Sequence, residues 1–191
     1  MKTFLALFCL IFTLPLFAEP LGVGAELPEA TVRRANGEAV TLAELTRDQK
    51  TVLIFYRGGW CPFCNTHLGE LVEIEEDLRE NGWQIIAVSP DRPEKVKEAQ
   101  KEAQFPYLLV SDNEMNAAKG FGLAFTLDDA EFQRLKGFGI DIEAASGKEH
   151  RMLPVPGVFL VDAEGKIIFA HHDPDYRKRL SNEDLLKAVT D

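Results

Sequence analysis

Six consecutive residues, Thr51-Val-Leu-Ile-Phe-Tyr56, carry no charge and no turn former, and the chain breaks directly after them at Arg57-Gly58-Gly59. An uninterrupted β-branched and aromatic run of this length reads as a strand buried on both faces, which requires a sheet covered on both sides. Before it, Ala30 to Ala35 and Glu38 to Leu42 flank Asn36-Gly37, a hairpin signature, and Leu42 to Asp48 suits a helical turn. After it, Leu68, Leu71, Val72, Ile74 and Leu78 recur at helical spacing and predict one helix from Pro62 to Asn81, stopped by Gly82. A strand at Trp83 to Val88, a charged helix near Pro93 to Gln104, a strand at Tyr107 to Val110 and a helix at Asn113 to Phe121 follow. Leu123 to Met152 reads as a mixed insertion. Gly157 to Val161 and Lys166 to Ala170 form a second pair of strands around a turn at Glu164-Gly165. Ser181 and Asp184 are placed for a capping box on a closing helix. The order is β-hairpin, β-α-β-α-β, α, insertion, β-β-α, an α/β domain with a mixed central sheet.

The first 18 residues differ in character. Met1-Lys2 is followed by a run from Thr3 to Phe17 that is nearly all apolar, and Ala18 precedes Glu19-Pro20. This is the layout of a secretory signal peptide; the run is short for a bilayer span and Pro15 interrupts it. Residues 1–18 are therefore expected to be removed, leaving a single domain over 19–191. Cys9 and Lys2 would leave with the signal. Only Cys61 and Cys64 would then remain, in a periplasmic or secreted protein with no membrane attachment, where a disulfide can persist. The formal charge of −10 makes nucleic acid a poor partner.

Trp60-Cys61-Pro62-Phe63-Cys64 stands where the buried strand gives way to the long helix. Two cysteines three apart can close a small disulfide ring, and the free N–H groups and dipole of a helix start stabilise a thiolate. Pro62 suits the first helical position. Cys61 is expected to be partly exposed with a lowered pKa, and Gly58 and Gly59 to let a substrate approach. A purely structural disulfide with so short a loop would constrain the unfolded chain little. Zinc bound through Cys61, Cys64 and His67 lacks a fourth ligand, so neither metal nor cofactor is expected. Pro156, just before the strand at Val158, is a candidate cis proline shaping a groove beside the sulphurs.

Phe55-Tyr56-Arg57-Gly58-Gly59-Trp60-Cys61-Pro62-Phe63-Cys64 resembles a peroxiredoxin-like branch of the alkyl hydroperoxide reductase/thiol-specific antioxidant family. Pro156-Gly157-Val158-Phe159-Leu160-Val161-Asp162 resembles the cis-proline strand of that superfamily, and Phe169 to Arg177 also resembles this branch. The resemblance covers about residues 22 to 190. It implies a thioredoxin fold with an N-terminal β-hairpin extension, an insertion before the cis-proline strand, and a thiol that reduces peroxides or disulfides. The family's P-x-x-x-T-x-x-C pattern places Cys64 at the peroxide-attacking position, Cys61 at the threonine and Arg57 at the proline. The family's second arginine falls near Pro156, leaving Arg57 or Arg151 to supply positive charge. A thioredoxin register instead makes Cys61 the attacking sulphur and Cys64 the resolving one. The peroxiredoxin register favours Cys64 and helix-end electrostatics favour Cys61; for a peroxidase the attacking sulphur is expected to be Cys64.

The other candidates have plainer readings. His67 reads as a solvated helix residue, His150 as a surface-loop residue, and His171-His172 with Asp173 and Asp175 as a strand-end loop. Glu73, Glu75, Glu76 and Asp77 read as a solvated face, and Trp60 as packing beside the cysteines. The expected activity is a thiol-dependent peroxide reductase using Cys61 and Cys64, reset by a thioredoxin-like dithiol. The alternatives are a reductase or isomerase of protein disulfides, and a non-enzymatic redox-sensing or binding domain.

Overall fold

The computed structural model describes residues 19–190; the expected signal peptide lies outside the described residues. In chain order the elements are β1 (Thr31–Arg33), β2 (Ala39–Thr41), α1 (Leu42–Thr46), β3 (Lys50–Phe55), α2 (Pro62–Val72), α3 (Glu75–Glu80), β4 (Trp83–Ser89), α4 (Pro93–Ala103), β5 (Leu108–Ser111) and α5 (Asn116–Gly120). The insertion contributes β6 (Ala124–Thr126), α6 (Asp129–Gly137), α7 (Ile142–Ser146) and β7 (Met152–Pro154); β8 (Gly157–Val161), β9 (Ile167–His172) and α8 (Asn182–Ala188) close the chain.

The main sheet has seven strands in the order β2-β1-β5-β4-β3-β8-β9. β3, β4 and β5 run parallel, while β8 lies antiparallel against β3 and β9 against β8. β3 is thus covered by sheet on both edges and by helices on both faces, as its apolar run demands. Val52, Ile54 and Tyr56 face a core with Leu68 and Leu71 of α2, Leu78 of α3, Val96 of α4 and Leu185 of α8. Leu53 and Phe55 face the opposite core, with Leu42, Met115 and the rings of Phe121 and Phe159. A smaller cluster holds the insertion together: Leu127, Phe132, Leu135, Ile142 and Leu153 pack with partly buried Trp60. Trp60 also packs against the core that contains both cysteines, so it joins the insertion to the active-site turn.

The single helix expected from Pro62 to Asn81 is two. α2 ends at Val72, and Glu73 and Ile74 form a turn before α3. Side chains from elsewhere take carbonyls near the end of α2: the Tyr107 hydroxyl donates to Leu68 O, and Asn182 Nδ2 donates to Glu70 O at 2.8 Å. Such insertions into a hydrogen-bond ladder are an established cause of breaks. The break leaves Ile74 and Leu78 in the same core, so the apolar pattern is met by two short helices. At α8, Ser181 Oγ accepts from Asp184 N–H at 3.1 Å, while its hydroxyl donates to the Asp184 carboxylate at 2.7 Å; the reciprocal backbone arm of a capping box is absent there. Both arms are present at α1, between Thr41 and Glu44.

Gly58 shapes the turn from β3 to α2. Its φ is +134°, and a Cβ there would lie 2.5 Å from Trp60 Nε1 and 2.8 Å from Asp91 Oδ1. Gly82 also has positive φ, +82°, but nothing lies within 4 Å of its Cβ position. Gly82→Ala should therefore cost only backbone strain, about 1 kcal/mol, whereas Gly58→Ala should cost about 2–4 kcal/mol because crowding adds to it. Urea unfolding of the two reduced variants checks this; equal losses would contradict the close packing at Gly58.

Candidate active site

The site forms at the carboxyl ends of the parallel strands, where functional groups gather in α/β sheets. Tyr56 N–H still bonds Val88 O at 3.0 Å, and the chain then leaves the sheet. Gly59 N–H donates to Asp91 Oδ2 at 2.7 Å, Asn65 Nδ2 donates to Gly59 O at 2.8 Å, and Cys61 N–H donates to Gly58 O at 3.1 Å. These bonds set Cys61 as the N-cap of α2, in extended backbone, with Pro62 opening the helix. Cys64 lies within the first turn.

Both cysteines are free thiols, and both are buried: Cys61 is 2% exposed and Cys64 0%. The partial exposure expected for Cys61 is not found, because aromatic side chains and a guanidinium crowd this end of the helix. Trp60 packs against the core holding the cysteines, and the Arg57 guanidinium lies 5.2 Å from the Trp60 ring centroid and 4.1 Å from that of Tyr176. Phe63 meets Tyr176 edge to face at 5.7 Å. Tyr176 belongs to the segment linking β9 to α8, which crosses this end of the sheet. From the same segment, Arg179 Nη2 donates to Cys64 Sγ at 3.4 Å.

The two sulphurs titrate as a pair. A hydrogen bond from the Cys64 thiol lowers the Cys61 pKa to about 6 against the opposing effect of burial, with the Cys64 N–H, Arg57 and Arg179 adding to the lowering. Cys64 is pushed in the other direction by its bond to Cys61 and by burial. The pair therefore titrates as one unit, in which the surroundings favour the negative charge on Cys61 over Cys64.

His67 is not the solvated residue its position suggests. It is buried, and burial, together with the Arg179 guanidinium and the neighbouring His171 ring, lowers its pKa to about 4, so the His67 imidazole is neutral near pH 7. Pro156 is also buried and lines a small cleft with His67, His171 and Arg179. None of the described peptide bonds is cis, so Pro156, whose isomer the sequence left open, is trans. Val155 N–H bonds Leu123 O at 2.8 Å and Pro156 O accepts from Asp173 N–H at 3.3 Å, holding an extended path from β7 into β8. Arg151 does not supply charge to the sulphurs. Its guanidinium binds Glu143 at 2.8 Å and Asp129 at 2.9 Å and covers the Phe132 ring, all within the insertion. His150 is likewise engaged with Asn113 O and Met152 N–H. Glu73, Glu76 and Asp77 are exposed and Glu75 is half-buried, and among the described residues no three His, Cys, Asp or Glu side chains converge as a metal ion would need.

Three residues of the site escaped sequence reasoning. Arg179 and Tyr176 lie more than a hundred positions beyond the cysteines; the visible signal was the cluster Arg177-Lys178-Arg179 in an acidic chain. Asp91 is 3% exposed, and burial raises its carboxyl to about 6. Its signal was position, two residues past the end of β4.

A family model described as AhpC/TSA family matches residues 23–170. Peroxiredoxin Bcp of Bacillus subtilis is 28% identical over 146 residues, covering 76% of this chain and 82% of that protein. Peroxiredoxin Bcp of Escherichia coli K12 is 26% identical over 148 residues, covering 78% and 83%. Among solved structures, reduced Prx3 from Vibrio vulnificus matches with a TM-score of 0.73 at 17% identity, over 90% of this chain and 99% of that one. Peroxidoxin BcpB from Mycobacterium tuberculosis matches with a TM-score of 0.68 at 18% identity, over 89% and 95%. With a thioredoxin-type sheet, a cysteine pair at a helix start and a family match over most of its length, the chain belongs to the AhpC/TSA family as a peroxiredoxin-like thiol oxidoreductase.

Proposed function

We propose that the chain reduces hydroperoxides through Cys61 and Cys64, with Cys61 as the attacking thiolate and Cys64 as the resolving thiol. The support for this reading is the place of Cys61 at the N-cap of α2 with Cys64 in the first turn and Arg179 at its sulphur, surroundings that lower the Cys61 pKa and raise that of Cys64. The Cys61 thiolate attacks one peroxide oxygen, the O–O bond breaks, and Cys61 becomes a sulfenic acid. The departing alkoxide takes the Cys64 proton and leaves as an alcohol. The Cys64 thiolate so formed attacks the Cys61 sulphur; the hydroxyl group leaves with a solvent proton as water, and the disulfide closes. An external thioredoxin-like dithiol returns two electrons and two protons to the pair.

Arg57 and Arg179 hold positive charge beside the sulphurs and would stabilise negative charge on the departing oxygen. Trp60 and Pro156 act as walls, Trp60 toward the insertion and Pro156 in the cleft beside Arg179. Burial of both sulphurs in the reduced state favours a small substrate over a folded protein disulfide in the attacking step. We also propose that the mature protein works outside the cytoplasm, in periplasm or medium, after loss of residues 1–18; the support is the basic, apolar, small-residue layout of that segment.

Cys64→Ser retains a hydroxyl donor beside Cys61, so peroxide should convert Cys61 to a sulfenic acid that a dimedone probe traps. Cys61→Ser should react about a hundredfold more slowly. The wild type should instead lose two hydrogens per monomer with no dimer formed. Labelling confined to Cys64, in the variant that lacks Cys61, would reverse the assignment. For export, mass analysis of protein made in a secreting host should find Glu19 as the first residue; an intact N-terminus after export would exclude a cleaved signal.

A further inference from the structure

Cys61 stands at the N-cap of α2, yet it is 2% exposed. The Arg57 guanidinium is near enough for its charge to add to the lowering of the Cys61 pKa that the Cys64 thiol begins. Arg57 is itself 5% exposed, and the rings of Trp60 and Tyr176 lie 5.2 and 4.1 Å from its guanidinium. Phe63, between the two cysteines in sequence, is 46% exposed and meets the same Tyr176 ring edge to face at 5.7 Å. Tyr176 therefore packs on one residue that precedes Cys61 and on another that follows it, and its ring spans the turn that holds the sulphur.

The segment between β9 and α8 carries Tyr176 and is loosely tied. Asp173 N–H bonds Pro156 O at 3.3 Å, and beyond it, among the described residues, no backbone hydrogen bond joins residues 174–179 to another element. Its turns are closed by its own aspartates: Asp173 Oδ1 accepts from Asp175 N–H at 2.8 Å, and Asp175 Oδ1 from Arg177 Nε at 2.8 Å. Side chains hold it over the site, Arg179 on Cys64 Sγ at 3.4 Å and Tyr176 on Arg57 and Phe63. From the insertion, α6 brings Arg134, bound to Glu131 at 2.8 and 2.6 Å, and its charge is favoured by that carboxylate and further by the Tyr176 hydroxyl. Tyr176 is half-buried and has no place in the main cores. A ring held by such contacts can lift without unfolding the sheet beneath it.

We propose that Tyr176 is a specificity-determining residue, whose ring over Arg57 and Phe63 admits small hydroperoxides to Cys61 and excludes bulky aryl or tertiary ones. The proposal rests on the reading that Cys61 attacks a peroxide, and it names the substrate class within that reading. Hydrogen peroxide is close to water in size and passes beside the ring. A hydroperoxide with a phenyl group and two methyl groups on its carbon reaches the sulphur only when the ring lifts. Lifting forfeits the cation–π contact with Arg57 and the edge contact with Phe63, a cost that only the bulky substrate bears. Steric discrimination of this kind is on the order of tenfold to a hundredfold.

The test compares the reduced wild type with Tyr176→Ala and Tyr176→Phe. Stopped flow gives the rate constants for hydrogen peroxide and cumene hydroperoxide. Peptide mass analysis gives the alkylation rates of Cys61 with iodoacetamide and with the bulkier pyrenylmaleimide. Taking the large-to-small ratio within each pair removes changes in thiolate reactivity common to both reagents. In Tyr176→Ala both ratios should rise about tenfold or more, and in Tyr176→Phe, which keeps the ring, both should stay within about threefold of the wild type. A rise below about threefold for either pair in Tyr176→Ala, or an equal rise in Tyr176→Phe, would overturn the proposal. If neither peroxide is consumed, the reading as a peroxide reductase fails, and the alkylation ratio alone decides whether Tyr176 limits access to Cys61.

Discussion

The pairing of the Cys61 and Cys64 sulphurs at the start of α2 sets the chemistry of the whole site. Two buried sulphurs cannot both be charged, and a buried thiolate without donors is unstable. Here the cost of burying one charge is offset by the Cys64 thiol and N–H, by a helix start, and by two guanidinium groups. In the proposed cycle the same arrangement keeps the second proton on Cys64, ready for a leaving oxygen. A site that held both sulphurs protonated would be inert, and one that exposed them would lose selectivity for a small oxidant.

Maintaining that pairing draws on distant parts of the chain. β3 and β4 fix the turn through Tyr56, Gly58 and the Asp91–Gly59 bond. The segment after β9 delivers Tyr176 and Arg179, and it is tied down by α8, whose Leu185 lies in the same core as both cysteines. The insertion reaches the site through Trp60, which packs against its core as well as the main one. Stability and function are therefore coupled, because loosening the closing helix or the insertion would withdraw a charge or a wall from the sulphurs.

The sheet was legible because its signals are local. The unbroken run of β3 could belong only to a central strand, and Asn36-Gly37 announced the hairpin whose paired strands are β1 and β2. The helix after Cys61 was read as one because Ile74 and Leu78 keep the apolar period; the break comes from Tyr107 and Asn182, whose approach no periodicity records. At the site, Cys61, Cys64, Trp60 and Arg57 were found by their place between strand and helix. Arg179 was missed because tertiary folding alone brings it to Cys64, and Arg151 was considered for a charge that Glu143 and Asp129 hold elsewhere. On the attacking sulphur the two family registers disagreed, and the sequence reading leaned to Cys64. Our proposal of Cys61 rests instead on the donors around the pair, and the thioredoxin-like register agrees with it.

The most direct measurement is the second-order rate constant for hydrogen peroxide with the reduced mature protein, followed by stopped flow across pH. A thiolate attack from Cys61 predicts a rate that rises through about pH 6 and levels off above it. A rise centred on about pH 8.5, the value of an unperturbed cysteine, or a rate independent of peroxide concentration, would contradict the account.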